Sequence, residues 1–569
     1  MKKVSGSPLP LGVTYKNGRA NFAMEVPEGK TCKLLLYRKG EASLLASYVF
    51  SDRIGSVCYM AVDGLKEEAY EYNYDIDGES VTDSYAKALS GKEVWFKNIE
   101  ISEKSKENVR GIFYEDHYDW EADQSPRIQE EELIAYAIHV RGFTKDTHSK
   151  VKNKGTFQGV IEKIPYLKDL GINQIQCMPV YEFEEAGMRV NYWGYGPGYY
   201  FAPKSAYAKD GDGVKGLKDL VKYCHKAGIE VVLEMPFAEG ISGLMVTDCL
   251  RNYVMEYHVD GFILNPYNVP MDIILKDPIL SGVRILRHAE EFQNVMRRFL
   301  KGDEGVVTDV MYQTRKRWDL EGIYNCITTH TGFTLKDLVS YDGKHNEANG
   351  ENNQDGPDYN YSWNCGAEGE TDDPNVNGLR RRLIKNAFAA LLCSRGPAMF
   401  FAGDEFCNTQ FGNNNAYCQD NIISWLDWSR LEKFKEIHDF VRHMIQFRKE
   451  HPILRKMTKP SSCQFPEISV HNGTPFNAST DYKTKLIGIM YAGRNEEDTE
   501  DDIVFYCMNA YWEPLVMQLP VLPNGKHWHV DTNTNAEYFD GEDFTAKTEL
   551  LGVNTIRVPA RTTIILVAE

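Results

Sequence analysis

The sequence predicts an α/β chain in which a (β/α)8 TIM barrel sits between two β-sandwiches. Three observations carry this expectation. From Leu133 to about Arg455, continuous apolar runs alternate with amphipathic helical stretches, the pattern of a parallel sheet covered on both faces. Before that region the text consists of short alternating apolar runs separated by Gly, Asp and Lys turns, as in a small antiparallel sandwich. After it, the same short runs return. A chain of 569 residues is too long for one simple core. The expected divisions are 1–115, 116–455 and 456–569.

In chain order, "ANFAMEV", "CKLLLYR", "SVCYMAV" and "AYEYNYDI" read as strands of the first sandwich, and the polar "YDWEADQSPRIQEEE" reads as a connector. "LIAYAIHV" opens the barrel as its first strand. "TFQGVIEKIPYLKDLG" follows as an amphipathic helix closed by Gly171. "INQIQCMPV", the helical "GLKDLVKYCHKAG", "IEVVLEM", "GFILN" and "GVRILR" continue the alternation. The sixth strand falls loosely near "EGVVTDVMY". "YNCITTH", the helical "LRRRLIKNAFAALLCS" and "AMFFAGDE" complete about eight units over roughly 320 residues. The polar loop "YDGKHNEANGENNQDGPDYNYSWNCGAEGETDDP" exceeds ordinary loop lengths, so it is either functional or packed by its own side chains. "KLIGIMYAG", "DIVFYCMNA" and "TIRVPARTTIILVAE" supply the last sandwich.

The net charge of −18 disfavours nucleic acid and anionic membrane as partners. The start "MKKVSGSPLP" lacks the apolar core of a signal peptide, and no apolar run is long enough to span a bilayer, so the expected compartment is cytoplasmic. Twelve scattered cysteines without a C-x-x-C pair read as buried and reduced. No metal or cofactor is called for. Aromatic residues reach 12%, with 33 tyrosines. Carbohydrate sites use aromatic faces, but filled cores account for most such residues.

Four stretches carry a resemblance. "AYAIHVRGFT" (135–144), "NYWGYGPGYYFAP" (191–203), "GFTLKDLVSYDGKHNEANGENNQDG" (332–356) and "GDEFCNTQFGNNNAYCQDN" (403–421) closely resemble the isoamylase and glycogen-debranching enzymes of glycoside hydrolase family 13, the α-amylase superfamily. The first segment, with "GSPLPLG", looks like that group's carbohydrate-binding module of family 48. The resemblance implies hydrolysis of α-1,6 linkages in α-glucans by a retaining mechanism. That chemistry uses a nucleophilic carboxylate and a protonated acid about 5–5.5 Å apart, here with a third carboxylate and an arginine beside the nucleophile.

Matched position by position, the family's G-F-R-F-D becomes "GFILN", which puts Ile263 at the arginine and Asn265 at the nucleophile. "ILRHAEE" puts His288 at the acid. "HTGFTL" keeps His330 and places Thr331 at the third carboxylate. "EMPFAEG" offers Glu234 for an aspartate and lacks an Asn-His-Thr stretch. Tyr195 is retained as the platform for a sugar ring, with Trp193 beside it. An amide is a very poor nucleophile. A buried arginine without its carboxylate would be an unpaired charge, so Ile263 next to Asn265 reads as a set of losses that relieve one another.

The expected function is therefore a non-catalytic member of this group that binds α-glucan (glycogen or starch-derived dextrins) or an active debranching enzyme and alters its activity or assembly. The alternative is an active hydrolase cutting α-1,6 or α-1,4 glucan linkages, with its carboxylates relocated to Glu234 and Glu290. Asp260 begins the fourth strand and points to the wrong face of a barrel. Asp404 and Glu405 match residues that are not the catalytic pair in active members. His288 with His330 makes too weak a donor set for a metal, and a hydrogen-bonded role fits them better.

Overall fold

The structure, a computed structural model, describes residues 1–96, 109–288, 290–315, 322–523, 525–535, 550–552 and 554–569. Its centre is a ring of parallel strands. Ile134–Ile138 pairs with Gln174–Cys177, and that strand with Glu230–Glu234. Gly261–Ile263, Arg284–His288 and Ile323–Tyr324 follow in order. Ala398–Phe401 returns to Ile134–Ile138, and a parallel bridge from Asn325 to Ala398 closes the circle. Alternate residues on each strand face inward. Ala135, Ala137, Val232, Leu286, Tyr324, Met399 and Phe401 fill the interior, with Ile263 packed against them. Their neighbours Tyr136, Ile175, Val231, Leu233 and Phe262 face the helical shell.

Two local expectations are corrected. The stretch expected to be the sixth strand, 304–312, is helical: Val307–Arg315 buries Val307, Val310, Met311 and Thr314. Their three- and four-residue spacing lines one face of a helix, which overrides the β-branched content. The ring thus holds seven strands among the described residues, with Ile323–Tyr324 directly beside Arg284–His288. The single helix expected before Gly171 is two helices, Phe157–Glu162 and Ile164–Leu170. Pro165 has no N–H to donate and starts the second helix. Thr156 caps the first helix, accepting from Gly159 N, and Gly171 closes the second at φ +96°.

Two antiparallel sheets precede the ring. They pack face to face through Phe22, Met60 and Val62 on one and Leu34, Leu36, Tyr72 and Tyr74 on the other. Trp95, the tryptophan of this segment, is spent on the barrel. Its ring stacks on Tyr207 at 5.8 Å and lies beneath the Arg141 guanidinium at 4.6 Å. After the ring, a sheet built on Leu486–Arg494, Asp501–Asn509 and Thr562–Ala568 faces a smaller one containing Leu515–Gln518 and Thr555–Val558. Met490, Phe505, Ile564 and Leu566 meet Met517, Ile556 and Val558 between them. Eleven of the twelve cysteines are buried. Among the described residues no helix is long and apolar enough to cross a membrane.

The connector is latched to the base of the ring by His225. Its Nδ1 lies 2.9 Å from Asp123 Oδ2 and its Nε2 lies 3.0 Å from Asp260 Oδ2. Asp260 also accepts from Val231 N at 2.6 Å, and Asp123 accepts from His258. An imidazole can donate from both nitrogens only when protonated. Burial works against the charged form, but the carboxylates of Asp260 and Asp123 outweigh it and raise the pKa of His225. The stabilisation is therefore fully present below the unfolded value of about 6.5 and is lost as pH climbs through the folded value. We expect denaturant resistance of the parent chain to fall more between about pH 6 and about pH 9 than that of His225→Gln. Equal falls in both would show that the latch contributes nothing.

Candidate functional site

The carboxyl ends of the ring strands open onto a groove of about 400 Å³, within the range of small-molecule sites. Arg189, Val190, Asn191, Trp193 and Tyr195 form one bank, and Asn415 and Tyr417 form the other. The first bank is a shaped turn. Asn191 accepts from Gly194 N at 3.0 Å and donates to Tyr195 O at 3.0 Å. Gly194 has φ +81°, and a Cβ there would meet the Phe183 ring at 2.4 Å, so only glycine fits. This turn presents Trp193 and Tyr195 together, with ring centroids 5.7 Å apart. Tyr417 O accepts from Tyr192 N at 2.9 Å and ties the two banks to one another.

Three sequence-selected polar side chains converge behind Tyr195. Its hydroxyl donates to Glu234 at the end of Glu230–Glu234 and lies 2.7 Å from His330 Nε2. With the phenolic proton directed at Glu234, the remaining bond requires a proton on His330 Nε2. The imidazole is neutral, since burial lowers its pKa to about 4. Burial, and then the Glu234 carboxylate, pushes the Tyr195 phenol upward. Trp193 packs edge-on against His330 at 4.9 Å. Trp193, Tyr195, His330 and Glu234 are thus brought together.

The other selected positions lie apart from that cluster or do another job. Asn265 is exposed, two residues beyond Gly261–Ile263, and its Oδ1 accepts from Tyr267 N at 3.1 Å. That is an Asx turn, which reverses the chain at Pro266. Thr331 is exposed and its hydroxyl lies 3.0 Å from that of Thr329. Glu290 is exposed at the start of the helix Glu290–Lys301. His288 closes its strand, and its side chain lies outside the described residues. Asp260 sits in the basal latch. Asp404 and Glu405 are buried, and burial raises both carboxyls to about 7. Asp404 accepts from Leu335 N at 2.8 Å and Glu405 from Tyr136 OH at 2.7 Å, so both brace the ring.

The two long polar loops interlock. Asn346 Nδ2 donates to Asn414 Oδ1 at 2.8 Å, and Asn414 N returns a bond to Asn346 Oδ1 at 2.9 Å. Asn349 accepts from Asn413 and Gln419, and Asn415 donates to Asp355 at 2.9 Å. These carboxamides satisfy one another where water is excluded, so the loops form a stiff wall. Arg141 joins the wall to the first strand through a bidentate pair with Asp420 at 2.8 and 2.9 Å. Arg189 and Tyr417 were not selected from sequence. Arg189 donates to Asn349 O at 2.8 Å and pairs with Glu351 at 3.1 Å, and Tyr417 OH donates to the same Glu351. Their place within quoted stretches was the available signal for Tyr417, while Arg189 precedes its stretch by two residues.

A groove with aromatic walls, carboxamide edges and little net charge suits a neutral polyhydroxylated ligand. Known proteins resemble this chain in sequence and in fold. Residues 137–237 match the family model described as "Alpha amylase, catalytic domain". Over 672 aligned residues the chain is 31% identical to isoamylase 3, chloroplastic, of Oryza sativa subsp. japonica, with 94% of this chain and 84% of that protein covered. It is 29% identical to a glycogen operon protein GlgX homolog of Haemophilus influenzae, over 79% of this chain and 86% of that protein. A pullulanase from Paenibacillus barengoltzii, solved in complex with maltohexaose and α-cyclodextrin, shares the fold with a TM-score of 0.76, covering 99% of this chain and 95% of its own, at 18% identity. With a full-length relative above 30% identity and the barrel in place, the chain belongs to the isoamylase and glycogen-debranching group of the α-amylase family.

Proposed function

We propose that this chain is a non-catalytic member of that group which holds an α-glucan in the groove between Trp193 and Tyr417. One observation carries the reading. Trp193, Tyr195 and Tyr417 line one groove, while Asn265, proposed for the nucleophile position, is an exposed amide engaged in a turn. Thr331 and Ile263 extend the pattern, since neither supplies the charge that a retaining glycosidase uses there. In its site the glucan stacks on Tyr195 and Tyr417, and its bound state is what an active debranching partner would meet. The 1–115 segment serves as scaffold in this reading, because Trp95 is packed on the barrel. The hydrolytic alternative draws on Glu234, which touches Tyr195, but it needs a second carboxyl group about 5–5.5 Å away. Glu290, proposed for that role, is exposed on its helix.

Calorimetric titration with maltoheptaose tests the binding claim. Tyr417→Ala is expected to weaken binding by about thirtyfold, the loss of roughly 2 kcal/mol for an aromatic anchor. An unchanged unfolding profile guards against a folding defect. No binding of maltoheptaose to the parent chain would remove the proposal.

A further inference from the structure

Beyond Thr331 the rim carries two more tyrosines that the groove does not use. Tyr359 is 86% exposed and Tyr361 is 37% exposed. Tyr361 also has φ +53°, an outlier for a bulky side chain and one that persists only where its surroundings impose it. The loop bearing both rings is pinned on either side. Asn414 Nδ2 donates to Pro357 O at 2.8 Å and to Asn360 Oδ1 at 3.0 Å. Trp363 N donates to Leu338 O at 3.0 Å, and Asn364 N to Asp342 Oδ1 at 2.8 Å.

This loop is bonded to the second bank of the groove. Asn414 precedes Asn415, which lines it, and Asp355 accepts from the Asn415 side chain. Gly332 N donates to Asn414 O at 2.9 Å. Exposed Thr331 therefore lies between His330, which touches Trp193 and Tyr195, and the Asn360–Asn414 pair that holds the two tyrosines. We propose that the groove extends across Thr331 onto Tyr359 and Tyr361, which form a second aromatic contact for the same α-glucan chain. This rests on reading the groove as an α-glucan site. A short oligosaccharide fills the groove alone, and a longer one reaches the second contact. Prior fixing of the loop keeps the ordering cost of that contact low. Thr331 puts no carboxylate at that position, so a neutral chain passes residue 331 without facing an anion there.

The test compares maltotriose with maltoheptaose on the parent chain, on Tyr417→Ala and on the double variant Tyr359→Ser/Tyr361→Asn. Asparagine tolerates the left-handed backbone at 361, so the ring is removed without adding strain. The double variant is expected to lose about tenfold in affinity for maltoheptaose and to keep its affinity for maltotriose. If Tyr417→Ala weakens both sugars while the double variant binds maltoheptaose normally, the groove reading stands and the second contact is wrong. Equal weakening of both sugars by the double variant also overturns it, since that reports a disturbed groove. If the parent binds neither sugar, the groove reading itself falls, and capture of a protein by the two tyrosines would be no substitute.

Discussion

Incubated with pullulan or glycogen, the chain is expected to release reducing ends at a rate on the order of 10⁶ below that of a debranching enzyme with its carboxylates intact, too slow to detect. Removing the nucleophile of a serine protease alone costs about that factor, or roughly 8 kcal/mol of barrier. The proposed correspondence removes more than a nucleophile here. Asn265 carries an amide whose oxygen is bound to Tyr267 N, Thr331 has only a hydroxyl, and Ile263 packs its side chain into the apolar ring interior. The losses do not multiply, because a nucleophile without its acid is already idle. For the same reason Asn265→Asp alone is expected to restore nothing measurable. A reducing-end assay beside product chromatography reads both outcomes. Maltotriose released from pullulan by the parent chain, and abolished in Glu234→Gln, would show that a relocated site works and would overturn the non-catalytic reading.

Much of this was legible from local pattern. The apolar runs at 134–138, 174–177 and 230–234 are the ring strands they were expected to be, because buried parallel strands have no polar face to disguise them. Val307–Arg315 was misread because its valines suit strands, whereas the spacing of its buried residues is helical. Trp193 and Tyr195 were picked out through the resemblance of "NYWGYGPGYYFAP", and both line one bank of the groove. The opposite bank was not. Tyr192 meets Tyr417, and Arg141 meets Asp420, across more than 220 residues of chain, and no local periodicity encodes such a pairing. The polar loops posed a different difficulty. Their asparagines suit sugar binding and loop folding equally well in sequence. Only the reciprocal bonds between Asn346 and Asn414 reveal how many carboxamides are already engaged.

The largest stability effect is expected at the opposite end of the barrel, from Arg284→Leu. Arg284 Nε donates to Glu230 Oε2 at 2.8 Å, and its Nη2 lies 3.1 Å from Oε1. Glu230 is only 1% exposed and also accepts from Ile128 N and Gln174 Nε2, each at 2.9 Å. Without the guanidinium, that carboxylate is left in a dry ring with neutral donors alone, a situation that costs about 3–5 kcal/mol. Pairing Arg284→Leu with Glu230→Gln is expected to recover most of the loss, since an amide can keep bonds to Ile128 and Gln174 without a buried charge. A chain with several separate cores does not unfold in one step, so the reading should come from hydrogen exchange in the Ile134–Ile138 and Glu230–Glu234 strands. Protection there should fall by roughly 10²–10³ in the single variant. Unchanged protection would mean that the pair adds nothing to the ring. A fall that the double variant does not recover would point to packing by the arginine stem. The contrast between the two ends has a physical basis. At the base, charge is retained because a partner of opposite sign sits within bonding distance. At the mouth, the proposed losses at 263 and 265 remove an arginine together with the carboxylate it would need.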